Sequence, residues 1–116
     1  MKRGEVWYVD LEPTKGAEAN KTRPVVIVSR DANNQAVAEL GLGVVTVVPM
    51  TSNTSRVYPF EVLCPQSASG PPRASKAQIP QLRAIDAARF QEVAGRLDAA
   101  TMRQIDAALK LHLAIE

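Results

Sequence analysis

An Arg with a Thr beside it suits a phosphodiester, and two polar stretches of this sequence offer such residues, one ending at Arg23 and one beginning at Thr51. A guanidinium donates in a fixed fork to two phosphate oxygens. A threonine hydroxyl adds one hydrogen bond to charge that develops during cleavage. Arg23 closes the polar stretch NKTR and runs straight into the apolar segment Pro24-Val25-Val26-Ile27-Val28. Pro24 favours extended backbone at the residue before it, so the guanidinium stem leaves a defined piece of chain. Glu18, Lys21 and Thr22 stand in the same loop, and Ser52, Asn53 and Arg56 follow Thr51 in another. Both loops flank apolar strands, so adjacent strands would bring them to one end of a sheet. On residue types alone, a set of ordinary solvated loop residues explains them equally well.

Other familiar chemistries find little support. The chain has one histidine, His112, and one cysteine, Cys64, too few for a zinc cluster. His112 falls near the end of a helix and reads as a surface or packing residue. Cys64 lies beside Pro65 at a strand end and reads as a structural thiol. No glycine-rich phosphate loop or nucleophile elbow is present. Asp10 and Glu12 are a weak candidate for a carboxylate metal pair, so no metal ligand and no cofactor is assigned.

The elements that must position the candidates are mostly strands. Residues 3 to 11, RGEVWYVDL, alternate as a first strand, with Val6, Tyr8 and Asp10 on one face and Trp7, Val9 and Leu11 on the other. Residues 24 to 30 form a second strand, opened by Pro24 where proline is tolerated. Residues 31 to 41 read as a loop, with Asn33-Asn34 and Gly41 as turn chemistry. Residues 42 to 50 form a third strand, apolar enough for burial on both faces, and Pro49 must end it or bulge it. Residues 57 to 63 form a fourth. Pro65, Gly70, Pro71 and Pro72 make 65 to 73 a loop. Two short strands, 75 to 79 and 81 to 85, break at Pro80. One helical turn follows, capped by Asp86, and then a last strand, 92 to 97. Asp98 caps a helix over 99 to 114, with Met102, Ile105, Leu109, Leu113 and His112 recurring at helical spacing. Many short strands with one terminal helix predict a mainly β (α+β) fold. It is a small, SH3-like or partly open barrel with the helix packed against it.

Size and charge fit this. The 116 residues make one ordinary domain, spanning 1–116. With 46% hydrophobic residues a core is available, and 22% charged residues favour solubility. Fourteen basic against twelve acidic residues leave a net charge of +2 and a pI near 8.9, which permits an anionic partner without demanding one. A single cysteine excludes an intramolecular disulfide. The amino terminus lacks an apolar signal core, and no apolar run is long enough to span a bilayer, so a cytoplasmic protein is expected.

The chain resembles the MazF/PemK (Kid) family of toxin endoribonucleases. The match begins at Arg3-Gly4-Glu5-Val6-Trp7-Tyr8-Val9-Asp10-Leu11. It passes through Pro13, Thr14-Lys15-Gly16 and Glu18 to Arg23-Pro24-Val25-Val26-Ile27-Val28-Ser29. It resumes at Val48-Pro49-Met50-Thr51-Ser52, at Tyr58-Pro59-Phe60-Glu61-Val62, at Gln78 and at Ile85-Asp86. The resemblance implies an SH3-like barrel working as a homodimer. It implies metal-independent, sequence-specific cleavage of single-stranded messenger RNA by attack of a 2′-hydroxyl, leaving 2′,3′-cyclic phosphate and 5′-hydroxyl ends. Its catalytic Arg corresponds to Arg23, its catalytic Thr to Thr51, and a supporting Glu to Glu18. Some members carry a His before the Arg; this chain has Thr22, so a role for that His does not carry over. A small MazE-like antitoxin with an acidic, disordered tail is the implied partner. Lys15, Lys21, Arg56, Arg73, Lys76 and Arg83 are candidates for RNA backbone contacts, with Thr22, Ser52 and Asn53 beside them. Tyr58 is a candidate for stacking on a base; Trp7 reads first as core. The alternative from another class is a non-catalytic gyrase-poisoning toxin of the CcdB type, which would not need the Arg–Thr pair.

Overall fold

In the computed structural model, residues 1–11 and 22–116 are described. Pro13, Lys15, Gly16, Glu18 and Lys21 of the first loop, and Glu12, lie outside the described residues. Seven strands, β1 (Glu5–Asp10), β2 (Thr22–Ile27), β3 (Val44–Thr51), β4 (Glu61–Cys64), β5 (Ser75–Gln78), β6 (Arg83–Asp86) and β7 (Phe90–Arg96), form one antiparallel sheet. Its order is β4-β5-β3-β2-β1-β7, with β6 also on β3. Two helices join them: α1 (Asp31–Leu40) and α2 (Ala99–His112).

β3 is the pivot. Its first half pairs with β6, from Val44↔Asp86 to Val47↔Arg83. Its second half pairs with β5, at Met50↔Ala77 and Thr51↔Lys76. One strand serving two partners along one edge must bend, so the sheet curls. It stays open, matching the partly open barrel expected. The loop after β4 reaches across to β7, where the Arg96 N–H donates to the Ser69 carbonyl at 2.7 Å.

The apolar runs fill both faces of the curled sheet. Val6, Val26, Val48, Met50, Val62, Ala77 and Ile79 form one core cluster, which α2 covers with Ile105, Met102 and Leu109. Val9, Val25, Ile27, Val45, Val47 and Ile85 form the other, covered by Val37 of α1. Alternate residues of β2 and β3 enter opposite clusters, which explains the largely apolar runs 25–27 and 44–50. Trp7 packs in the second cluster, edge-on to Phe90 at 5.9 Å, with its indole N–H on Glu5 at 3.1 Å.

Four expectations need correction. Residues 31 to 40 form α1 and not a loop. Asn34 serves no turn: it is fully buried, and its Nδ2 donates to the Ser29 carbonyl at 2.9 Å while its Oδ1 accepts from the Ser29 hydroxyl. Gly41 is the left-handed C-cap, its N–H bonded to the Val37 carbonyl. The fourth strand begins at Glu61, because Tyr58 and Glu61 close a turn around Pro59. Pro49 neither ends β3 nor bulges it; it sits within the strand opposite Val25. At the end of α2, Leu113 and His112 are exposed and leave the packing stripe to Met102, Ile105 and Leu109. The caps at Asp86 and Asp98 hold: their carboxylates accept from the Ala88 and Thr101 N–H groups.

Candidate nucleic-acid interface

The ladder between β2 and β3 stops at Val25↔Pro49. Proline supplies no N–H; Pro49 stands at the last rung and Pro24 one residue beyond it, opposite Tyr8 of β1. Beyond them β2 continues along β1, to Val9↔Arg23 and Asp10↔Thr22, while β3 turns to β5. The parting ends open a groove of about 670 Å³. Continuing the β2–β3 register by two residues would set Arg23 opposite Thr51, so one divergence places both on the opening.

Tyr8, Pro24 and Met50, neighbours on three strands, line the groove together with Thr22, Arg23, Thr51, Ser52 and Ser75. Pro71, Pro72 and Arg73 line it from the loop after β4. Two arginines and several hydroxyls therefore face one space, and no described Asp or Glu lines it. Arg23 is exposed at the mouth and Thr51 is half-buried. Among the described residues no carboxylate pairs with Arg23 or Arg73. The Thr51 hydroxyl oxygen accepts from the Asn53 N–H at 3.3 Å, which leaves its own hydrogen to donate. Thr22 donates to Gln91 of β7 at 3.3 Å. Such a space suits a phosphate with a partly apolar body beside it.

Arg73 reaches the groove because its loop is anchored. Gly70 is buried against Gly95 of β7, and a Cβ added at Gly95 would lie 2.7 Å from the Gly70 carbonyl carbon. The composition of 65 to 73 marks a loop, but only the fold shows that it is a wall of the groove. Tyr8 and Ser75 also line it; in the sequence they are ordinary strand residues.

The remaining candidates divide. Arg23, Thr51, Thr22, Ser52 and Arg73 come together. Asn53 orders the following loop, accepting from the Ser55 N–H and hydroxyl. Arg56 and Tyr58 stand further along that loop, exposed. Lys76 is turned inward, its ammonium 3.0 Å from Glu61 and 2.7 Å from the Arg56 carbonyl, so it is already committed. Arg83 is exposed on β6, opposite Val47, and does not line the groove. Glu18, Lys15 and Lys21 lie outside the described residues. Burial pushes the Cys64 thiol up to about 11, as expected of a structural cysteine. Among the described residues no three His, Cys, Asp or Glu side chains gather at a metal-binding spacing, and no helix is long and apolar enough to cross a membrane.

Comparison with known proteins agrees with this architecture. Residues 2–113 match the family described as PemK-like, MazF-like toxins of type II toxin–antitoxin systems. The chain is 50% identical over 113 residues to the endoribonuclease MazF9 of Mycobacterium tuberculosis, covering 97% of this chain and 96% of that one. It is 29% identical over 115 residues to the endoribonuclease EndoA of Bacillus subtilis, covering 99% and 96%. Among solved structures, a mycobacterial endoribonuclease in complex with its cognate antitoxin superposes with a TM-score of 0.78 at 26% identity, covering 100% of this chain and 97% of that one.

Proposed function

The chain belongs to the PemK-like, MazF-like toxin family of type II toxin–antitoxin systems, and on that premise we propose that it is an endoribonuclease that cuts single-stranded RNA. The observation that carries the reading is the groove, where Arg23, Arg73 and the Thr51 hydroxyl share a space without a described carboxylate.

In this reading the scissile phosphate sits between Arg23 and Thr51. The 2′-hydroxyl of the preceding ribose attacks phosphorus and loses its proton; the 5′-oxygen leaves and gains one. The products are a 2′,3′-cyclic phosphate and a 5′-hydroxyl. Arg23 stabilises charge on the non-bridging oxygens as it develops, and Thr51 donates a further hydrogen bond. Arg23 acts electrostatically more than as an acid or base, because a guanidinium keeps its proton. Glu18 is the candidate supporting carboxylate. With Thr22 in place of a histidine, no imidazole stands beside the phosphate to serve as a general base, and turnover is slow. Arg73, Thr22 and Ser52 hold the flanking backbone. The reaction needs no metal. The protein acts in the cytoplasm as a homodimer, restrained by an antitoxin that covers the groove.

A chimeric oligonucleotide tests the chemistry. One 2′-deoxyribose on the 5′ side of a mapped cut should abolish cutting there and leave binding intact. Continued cutting at that point would refute 2′-hydroxyl attack.

A further inference from the structure

Lys76 and Glu61 form an ion pair whose side chains are only 11% and 6% exposed. Such a pair adds little stability over a hydrophobic one, because both charges lose their water; what it does well is fix geometry. Here it fixes two aromatic rings. The Lys76 ammonium donates to the Arg56 carbonyl and lies 5.7 Å from the centre of the Tyr58 ring. Glu61 accepts the Tyr58 N–H at 3.0 Å, and its own N–H donates to the Tyr58 carbonyl at 2.9 Å. Arg56 lies over the same ring at 5.5 Å and donates to the Tyr58 hydroxyl at 3.2 Å. Tyr58 in turn stacks on Phe60, ring centres 5.3 Å apart and planes 2° from parallel.

The stacked rings do not enter the core. Tyr58 is 41% and Phe60 47% exposed, and Leu63 of β4 is also exposed. Leu63, Lys76 and Thr51 are direct partners across β4, β5 and β3. Directly opposed residues share a face of the sheet. The rings held by Lys76 therefore lie on the Thr51 side, on the order of 10 Å from Thr51, given strands about 4.8 Å apart and the reach of the lysine.

We propose that Phe60 and Tyr58, clamped by the Lys76–Glu61 pair and flanked by Arg56, form a stacking subsite for an RNA base roughly a nucleotide or two from the scissile bond. The inference rests on the RNA-cleaving reading and adds a specificity element to it. Parallel exposed rings offer a π-face that suits a splayed base, and Arg56 attracts the adjoining phosphate. Lys76 and Glu61 are positioning residues here, since they act on the base through Tyr58.

The test is a coupled scan. Binding is measured for single-stranded oligoribonucleotides blocked by one 2′-deoxyribose at the cut, with an abasic nucleotide moved through the flanking positions. Wild-type protein, Phe60→Ala and Phe60→Trp are compared, together with KM and kcat on an unblocked RNA. Phe60→Ala should weaken binding and raise KM roughly tenfold with little change in kcat, and Phe60→Trp should restore both. At one position the abasic nucleotide should cost the wild type as much and cost Phe60→Ala nothing further. Additive losses at every position overturn the inference, as does unchanged RNA binding by Phe60→Ala, which would leave the rings to a protein partner. Protein that binds without cutting removes the nuclease reading alone, and the coupling still decides the subsite. Protein that binds no RNA removes both.

Discussion

At the scale of single residues, the account rests on a guanidinium and a hydroxyl placed where two strands part. Thr51→Ala removes a donor to developing charge and should lower kcat roughly 100-fold or more, with KM little changed; single-turnover cleavage measures it. Arg73→Gln removes one phosphate contact. It should reduce the slope of log affinity against log salt by about 0.7, read from titrations between low and moderate ionic strength. Cys64 makes a prediction unconnected to RNA. Its thiol is raised from the usual 9.0 to about 11 by burial, so the fold keeps the proton after the unfolded chain has lost it. Stability from this group is full below pH 9 and falls as pH rises towards 11. Urea midpoints at pH 8 and pH 10.5 should show the loss, and Cys64→Ala should flatten it. Arg23 and Thr51 line the groove, but their residue types alone left ordinary loop residues an equal reading, and it was the family resemblance that singled them out. Tyr8 and Ser75 were not, since nothing in a strand residue announces which groove its row will line. Lys76 misleads by composition: a lysine among polar neighbours reads as a free cation, and only the fold shows Glu61 beside it.

At the scale of elements, the strands were readable from β-branched runs and prolines, and α2 from its Asp98 cap and apolar stripe. α1 was hidden for physical reasons. Its N-cap, Arg30, makes no side-chain cap bond, and Val37 is its only buried apolar residue. The helix is held by Asn34 and by Asp31, which accepts the Arg3 N–H at 2.7 Å. Those polar anchors look like turn chemistry in a bare sequence. Asn34→Leu would leave the Ser29 hydroxyl and carbonyl without their partner and should destabilise the fold by about 1–3 kcal/mol in denaturant titration. The loop before β5 carries a further prediction. Gly95→Ala drives a methyl into the Gly70 backbone and should push the loop off β7. Arg73 moves with that loop, so RNA affinity should fall while the chemistry at Arg23 persists. An affinity equal to that of the wild type would separate the loop from the groove.

At the scale of the whole molecule, one bent sheet explains both core and site. β3 serves β6 with one half and β5 with the other, and the bend that encloses two cores also splits its far end from β2. Family membership fits this construction, and the antitoxin-bound mycobacterial relative shares it across the whole chain. A mildly basic protein with Arg23 and Arg73 on one groove suits a substrate held by its backbone, and that placement matters more than the net charge of +2. The most direct test incubates the purified protein, freed of antitoxin, with a long single-stranded RNA in excess EDTA, and maps the cut ends by primer extension. Arg23→Ala runs beside it. The account predicts cuts at a recurring short sequence, ending in 5′-hydroxyls and lost in the variant. Equal cutting by Arg23→Ala, or no cutting by folded wild-type protein, would contradict it.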